Sequence, residues 1–306
     1  MNRNYPVALI WPAIFPGARS QNPVSRLVDW LLKAGKRIKS GKRRDMFPGN
    51  KNKNARRPDV IRLFLVSAAM TAAITAGAAQ AGEARKVSGV VELFTSQGCN
   101  SCPPADKVLA ELAGEGRVIA LGYHVDYWDY LGWKDTLGSP DYTERQYGYS
   151  RTFAERSVYT PQAVVNGRLH VNGANKSQIE YQIEKQAAGG KALPVGIRVE
   201  EAGDSLIIYA DAGSAGTDAH LVLVYFDKAR DVKIDRGENR GKTITYANIV
   251  TGLQTAGMWH GDAARFELPM SEIAKHGDGG CAVLLQVVGK DGSPGAILGA
   301  ALLEHG

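Results

Sequence analysis

Cysteine is scarce in this chain. There are three in 306 residues: Cys99 and Cys102 form a C-x-x-C pair, and Cys281 stands alone. Three thiols make one pair and one leftover, not a disulfide framework. Several catalytic signatures are also missing: there is no G-x-S-x-G, no H-E-x-x-H, no phosphate loop and no dinucleotide fingerprint between a strand and a helix. Hydrolytic and nucleotide-dependent readings have nothing to stand on, and no cofactor is expected. Acid is scarce at the N-terminus. Residues 1–81 hold 15 of the 37 Lys and Arg but only 3 of the 31 Asp and Glu, so residues 82–306 are near −6 although the whole chain is +6. An acidic globular part repels phosphate backbones, which argues against a nucleic-acid partner.

What residues 1–81 do contain reads as targeting. Lys51, Lys53, Arg56, Arg57 and Arg62 form a positive region, Leu63 to Ala79 is uncharged and Ala-rich, and Ala79-Gln80-Ala81 fits a small-x-small cleavage site. Cleavage after Ala81 is expected, giving a periplasmic or secreted chain without stable membrane insertion. The apolar run is short for a spanning helix. Residues 1–45 are basic and lack sustained periodicity, and Met46, rather than Met1, is the expected start.

From Val87 to about Gly190 strands and helices alternate. Val90–Thr95 reads as a strand. Pro103–Ala113 reads as a helix, with Ala105, Val108, Leu109 and Leu112 on one face. Val118–His124 is a near-continuous apolar strand, as expected where both faces are buried. Ser139-Pro140 opens a helix running to Arg156. Asn166-Gly167 turns a hairpin between Ala163–Val165 and Leu169–Val171. Lys176–Ala188 closes as a helix before Gly189-Gly190. Beyond Gly190 the helical signal nearly vanishes. Val195–Val199, Ser205–Tyr209, Leu221–Phe226, Ala282–Val288 and Ala296–Leu302 read as strands of a roughly seven-stranded antiparallel sandwich. Asp235–Lys242, charged and Gly-rich, reads as a solvated hairpin loop. Cys281, heading an apolar run, reads as a small buried hydrophobe.

The C-x-x-C pair falls at a strand-to-helix junction. There, unpaired backbone N–H groups and the positive end of the helix dipole favour a thiolate, and a second thiol one turn along can resolve a mixed disulfide. The first reading is a thiol–disulfide oxidoreductase in which an accessible Cys99 attacks, Cys102 resolves, and the partners are protein thiols or disulfides. A plain disulfide staple is its structural counterpart. The second reading is a Zn or Cu(I) site built from Cys99, Cys102 and His124, or Asp126 or Asp129, although no second Cys or His pair closes it. The third is a non-catalytic binding module. Tyr127, Trp128, Tyr130 and Trp133 either line a groove beside the thiols or form the core under a loop.

The β-α-β-α-β-β-α order with C-x-x-C at the first strand-to-helix junction resembles the thioredoxin plan. Thr160-Pro161, just before Ala163–Val165, matches the cis-proline of that plan. The resemblance implies that this turn holds substrate backbone opposite the cysteines. More narrowly, Val91–Asp106, His124–Trp133 and Tyr159-Thr160-Pro161-Gln162 resemble an uncharacterised family of secreted bacterial thioredoxin-like proteins, a domain of unknown function. The likeness covers essentially all of the mature chain and implies fold and export, not a substrate. Gln97-Gly98 and Asn100-Ser101 depart from the usual thioredoxin residues, so the direction of electron flow stays open. Thioredoxins also bury an acid in the strand before the motif. Glu92 is the counterpart and a candidate proton relay, but it lies seven residues before Cys99 rather than the usual six, which can turn it to the other face.

The expected architecture is therefore an α/β thioredoxin-like domain over 86–190 and an all-β sandwich-like domain over 191–306, behind a signal segment over 1–81. The expected site residues are Cys99, Cys102, Thr160, Pro161 and Glu92.

Overall fold

Strand β1 (Val90–Thr95) is buried along its whole length because its two faces meet different layers. Val91 and Leu93 pack with Ala105, Leu109 and Leu112 of helix α1 (Pro103–Glu115) and with Ile179 and Ile183 of α3 (Lys176–Ala188). Val90 and Phe94 face the other way, into a core with Tyr142 and Tyr149 of α2 (Pro140–Thr152). The period of two along a strand makes this sorting automatic. The chain is described by a computed structural model covering residues 87–214, 216–276 and 279–304. The leader, the cleavage site after Ala81 and the choice between Met1 and Met46 lie outside those residues.

The helix boundaries follow local chemistry. Pro103 and Pro104 open α1, where missing N–H groups cost nothing, and Gly116 closes it in the left-handed region at φ 63°. Ser139 caps α2 by accepting from the Asp141 N–H, and Asn175 caps α3 by accepting from Gln178. The expected continuation of α2 to Arg156 stops at Thr152.

The remaining strands are β2 (Ile119–His124), β3 (Gln162–Val165), β4 (Leu169–Asn172), β5 (Ile197–Ala202), β6 (Ser205–Ala210), β7 (Ala219–Lys233), β8 (Thr243–Trp259), β9 (Ala264–Pro269), β10 (Gly280–Val288) and β11 (Pro294–Glu304). A short helix α4 (Met270–Ala274) follows β9. β1 and β2 are parallel, while β3 and β4 form an antiparallel hairpin turned at Asn166 and Gly167, at φ 51° and 62°. Both central turn residues need positive φ, which is why Asn-Gly marks this turn in the sequence.

Two sheets result. One has eight strands in the order β11-β10-β7-β8-β2-β1-β3-β4; the other has three, β5-β6-β9. The fold is thus mixed α/β, with a large sheet and a small one. Seven strands do follow α3, but they do not pair only among themselves. Four of them extend the sheet begun by β1, through a parallel contact of β8 with β2 at Gly122 and Ile249. The other three cover one face of that extension. Leu221, Leu223, Tyr225, Cys281, Val283 and Leu285 point toward the small sheet, and Val222, Val224, Phe226, Ala282 and Leu284 join the core beneath α2. Cys281 is a buried free thiol, pushed up to about 12 by burial.

The longest element is the β7–β8 hairpin. Its outer half, Asp227–Lys233 against Thr243–Ile249, leaves the body of the sheet as an arm. Two bulges in β8 shift the register, one at Thr251 where the arm joins the sheet and one at Ala256 within the body of the sheet. All the described elements belong to one compact unit. Among the described residues no helix is long and apolar enough to cross a membrane.

Candidate functional site

Cys99 and Cys102 are joined by a disulfide at the start of α1, with Cys102 as its N-cap residue and Cα atoms 5.4 Å apart. The loop leading in is held from several sides. Asp135 Oδ2 accepts from the Gln97 N–H at 2.7 Å. The Gln97 side chain, itself buried, accepts from Trp133 Nε1 at 2.9 Å and donates to Thr136 Oγ1 at 3.1 Å. Ser96 supplies its carbonyl to the Cys99 N–H and its hydroxyl to Gly98. The sulfurs are not open to solvent: Cys99 is 2% exposed and Cys102 is 0%. This corrects the expectation of an accessible Cys99. The exposed residues of the motif are the two between the cysteines, Asn100 and Ser101.

The arm contributes a residue that no sequence signal singles out. Asn239, at the tip of the hairpin, is fully buried and donates from Nδ2 to both the Gln97 and the Cys99 carbonyls, each at 2.9 Å. Lys242 Nζ in turn donates to Asn239 Oδ1 at 2.8 Å. The loop expected to be solvated is therefore, at this position, a clamp on the cysteine loop. Its charged composition concealed that, because the partners lie about 140 residues away.

The Thr160–Pro161 peptide is cis. Trp128 links this turn to the cysteine loop. Its Nε1 donates to Thr160 Oγ1 at 2.8 Å, and its Cβ lies so near Gly98 that an added methyl there would sit 3.1 Å from it. On the other side Gly173 packs tightly between Pro161, Ala105 and Leu93, where a Cβ would collide with Leu93. Cys99, Cys102, Thr160 and Pro161 thus fall within one neighbourhood. The aromatic cluster divides: Tyr130 is 76% exposed, while Tyr127, Trp128 and Trp133 are half-buried in the loop.

Glu92 is not brought to the cysteines. It lies on the face of β1 turned toward α2, where Arg145 Nε donates to it at 2.8 Å and the Tyr149 hydroxyl donates to it as well. Gln286 completes the cluster, donating to Tyr149 Oη at 2.8 Å and accepting from Arg145 at 2.9 Å. The seven-residue spacing to Cys99 put Glu92 out of phase, and the pleat sent it to the opposite side. The relay expected of it has no geometry here.

The acid that does lie by the cysteines is Asp106, four residues after Cys102 on α1, 3% exposed. Thr95, on the α1 side of β1, donates to Asp106 Oδ1 at 2.7 Å. Burial pushes the carboxyl up to about 7, only partly offset by the Thr95 hydrogen bond and the neighbouring His124. His124, at the end of β2, pairs through Nδ1 with Asp135 Oδ2 at 2.9 Å and meets the Tyr246 ring edge-on, centroids 4.6 Å apart. Burial raises the Asp135 carboxyl, but His124 and the Gln97 and Leu137 N–H groups outweigh it and hold it below its usual range. Asp106 carried a signal in the sequence, an acid four residues past the second cysteine. It was indistinguishable there from an acid set in a first turn to suit the helix dipole.

For a metal, Cys99 and Cys102 offer no thiolate while bonded to each other. Asp126 accepts from Thr143 Oγ1, and Asp129 accepts from the Asp135 N–H. Among the described residues no group of three or more His, Cys, Asp or Glu is placed to share an ion.

Comparison with known proteins adds two findings. Residues 90–286 match a family described as "Protein of unknown function (DUF1223)". The chain is also similar to the crystal structure of protein AGR_C_4864 from Agrobacterium tumefaciens, with 45% identity and a TM-score of 0.66 over 72% of this chain and 95% of that one. No curated protein matches the chain.

Proposed function

The chain belongs to the DUF1223 family, and on that footing we propose that it is an exported, thioredoxin-like thiol–disulfide oxidoreductase working through Cys99 and Cys102. The observation that carries the reading is the disulfide itself, set at the first turn of α1 and beside the cis-proline turn. A reduced Cys99 would lie near the positive end of the α1 dipole, which favours its thiolate; the turn offers it no spare N–H, because Pro103 and Pro104 have none and the Cys102 and Ala105 N–H groups are already bonded. Cys102, at the N-cap, is one step behind it as the resolving thiol. Residues 86–190 supply this machinery and 191–306 contribute the arm that clamps it. Cleavage after Ala81 would deliver the protein to a periplasmic or extracellular space, where such a pair persists oxidised.

A second reading has its own support. The near-complete burial of Cys99 suits a disulfide that staples the helix start in a non-catalytic binding module. Two measurements separate the readings. Cys102→Ala, expressed with its export signal, should accumulate mixed disulfides through Cys99. The reduction potential of the wild-type couple should fall in the range of thioredoxins or disulfide-forming enzymes, about −270 to −120 mV. No trapped partner together with a potential below about −300 mV gives the staple instead.

A further inference from the structure

Two buried polar atoms near the cysteines have no hydrogen-bond partner among the described residues: Asp106 Oδ2 and the Tyr246 hydroxyl. Native structures rarely leave such groups unpaired, because each costs free energy, and where they persist a function is the first explanation to test. Asp106 belongs to the same helical register as Cys102. Its N–H donates to the Cys102 carbonyl at 3.1 Å, and residues so spaced are neighbours on one helix face, their Cβ atoms roughly 5–6 Å apart. Both are almost wholly buried.

A buried thiol is a poor nucleophile. Desolvation penalises its thiolate, and water cannot take its proton. Resting on the oxidoreductase reading above, we propose that Asp106 Oδ2 is the proton acceptor for Cys102. In the mixed disulfide, Cys99 Sγ is bonded to a sulfur of the substrate protein. The Cys102 thiol passes its proton to Asp106, and the thiolate attacks Cys99 Sγ. The Cys99–Cys102 bond forms, the bond from Cys99 to the substrate breaks, and the substrate sulfur leaves as a thiolate with the bond's electron pair. The protein's dithiol is oxidised to its disulfide, and the substrate's disulfide is reduced to thiols. In the opposite direction Asp106 returns the proton to Cys102 as it departs, so the role does not depend on which way electrons flow.

The surroundings suit a group that must gain and lose one proton. Thr95 fixes Oδ1 and leaves Oδ2 free. Burial sets the carboxyl near neutrality, where a proton can be taken up and released at little cost. The other titratable groups facing Asp106 are His124 on β2, Asp135 on the following loop and Tyr246 on the arm. Of these, His124 and Asp135 are already paired with each other. Glu92, the acid that the strand pattern suggested, is on the far face and held by Arg145.

The test needs no natural substrate. Pre-reduced full-length protein is mixed with the aromatic disulfide 5,5′-dithiobis(2-nitrobenzoate). The first burst of thionitrobenzoate reports attack by Cys99 and the second reports its displacement by Cys102. Asp106→Asn should leave the first burst unchanged and slow the second by roughly 10²-fold at neutral pH. It should also remove the inflection near pH 7 from the rate of the second burst, which a merely structural role would not do. Thr95→Val, which takes away the hydrogen bond favouring the carboxylate, should shift that inflection upward. A second burst with the wild-type rate and pH profile in Asp106→Asn overturns the assignment and leaves the thiol chemistry standing. A wild-type protein with no first burst overturns the thiol reading, and this assignment with it.

Discussion

Two acids in this protein, Glu92 and Asp106, are both removed from water, yet their circumstances are opposite. Glu92 sits between β1 and α2 with Arg145, Tyr149 and Gln286 around it. Asp106 sits between α1 and β1 with one hydroxyl as its hydrogen-bond partner and one oxygen unpaired. Neither residue identity nor burial decides what a carboxyl does. A fully partnered carboxylate is fixed as structure, whereas one short of partners is free to hold a proton. The two lie on opposite faces of one strand region, and a single residue of register separates those faces.

The contrast can be broken most forcefully on the Glu92 side. Glu92→Ala strands Arg145 in the core, and breaking a buried pair at one end costs about 3–5 kcal/mol. Chemical denaturation should show that loss in full, with the reactivity of Cys99 unchanged in whatever fraction stays folded. The Asp106 side should respond to pH instead. Its carboxyl is near 7 in the folded protein and about 4 in the unfolded chain, so between those values the folded state holds a proton that the unfolded state has given up. Wild-type stability should therefore fall as pH rises through that window, by at most about 1.4 kcal/mol per unit. Asp106→Asn should abolish the decline and be the more stable protein above pH 7, as denaturation midpoints across pH 4–8 will show.

A smaller effect is expected at the clamp. Asn239→Ala removes the donor shared by two carbonyls and should cost about 1–3 kcal/mol while speeding reduction of the disulfide by a small dithiol. The smallest concerns the two tyrosines. Tyr246→Phe discards a hydroxyl with no hydrogen-bond partner among the described residues and should change stability by less than about 1 kcal/mol. Tyr149→Phe removes one hydrogen bond from Glu92 and one from Gln286 and should cost more. Equal melting temperatures for the two variants would erase the difference between a bonded and an unbonded buried hydroxyl.

Much of the first half of the fold was legible because local chemistry determines it. The bounds of β1 and α3, the proline start of α1 and the Asn-Gly hairpin all follow from residues within a few positions of each other, whereas the cis turn at Thr160–Pro161 was implied by the resemblance to the thioredoxin plan. The phase of Glu92 was legible too, as a warning in the spacing. β8 was not, because its two bulges and the positive φ of Asn248, 45°, break the alternation by which strands are recognised. Nor was the role of Asn239, a polar residue in a charged loop with its partners a hundred and more residues upstream. The continuation of the first sheet through β8 was hidden for a related reason: it rests on the single pairing of Gly122 with Ile249.

The reach of the β7–β8 arm bears on how this protein can be divided. A fragment ending after α3 would keep both sulfurs, the cis turn and Asp106 but lose the amide that quiets the Gln97 and Cys99 carbonyls. It would also expose the long edge of β2. Anyone trimming the chain to a minimal module around Cys99 and Cys102 should transplant the arm along with it, at its native length. Shortening it by one residue pair would withdraw the tip by several ångströms, and Asn239 with it.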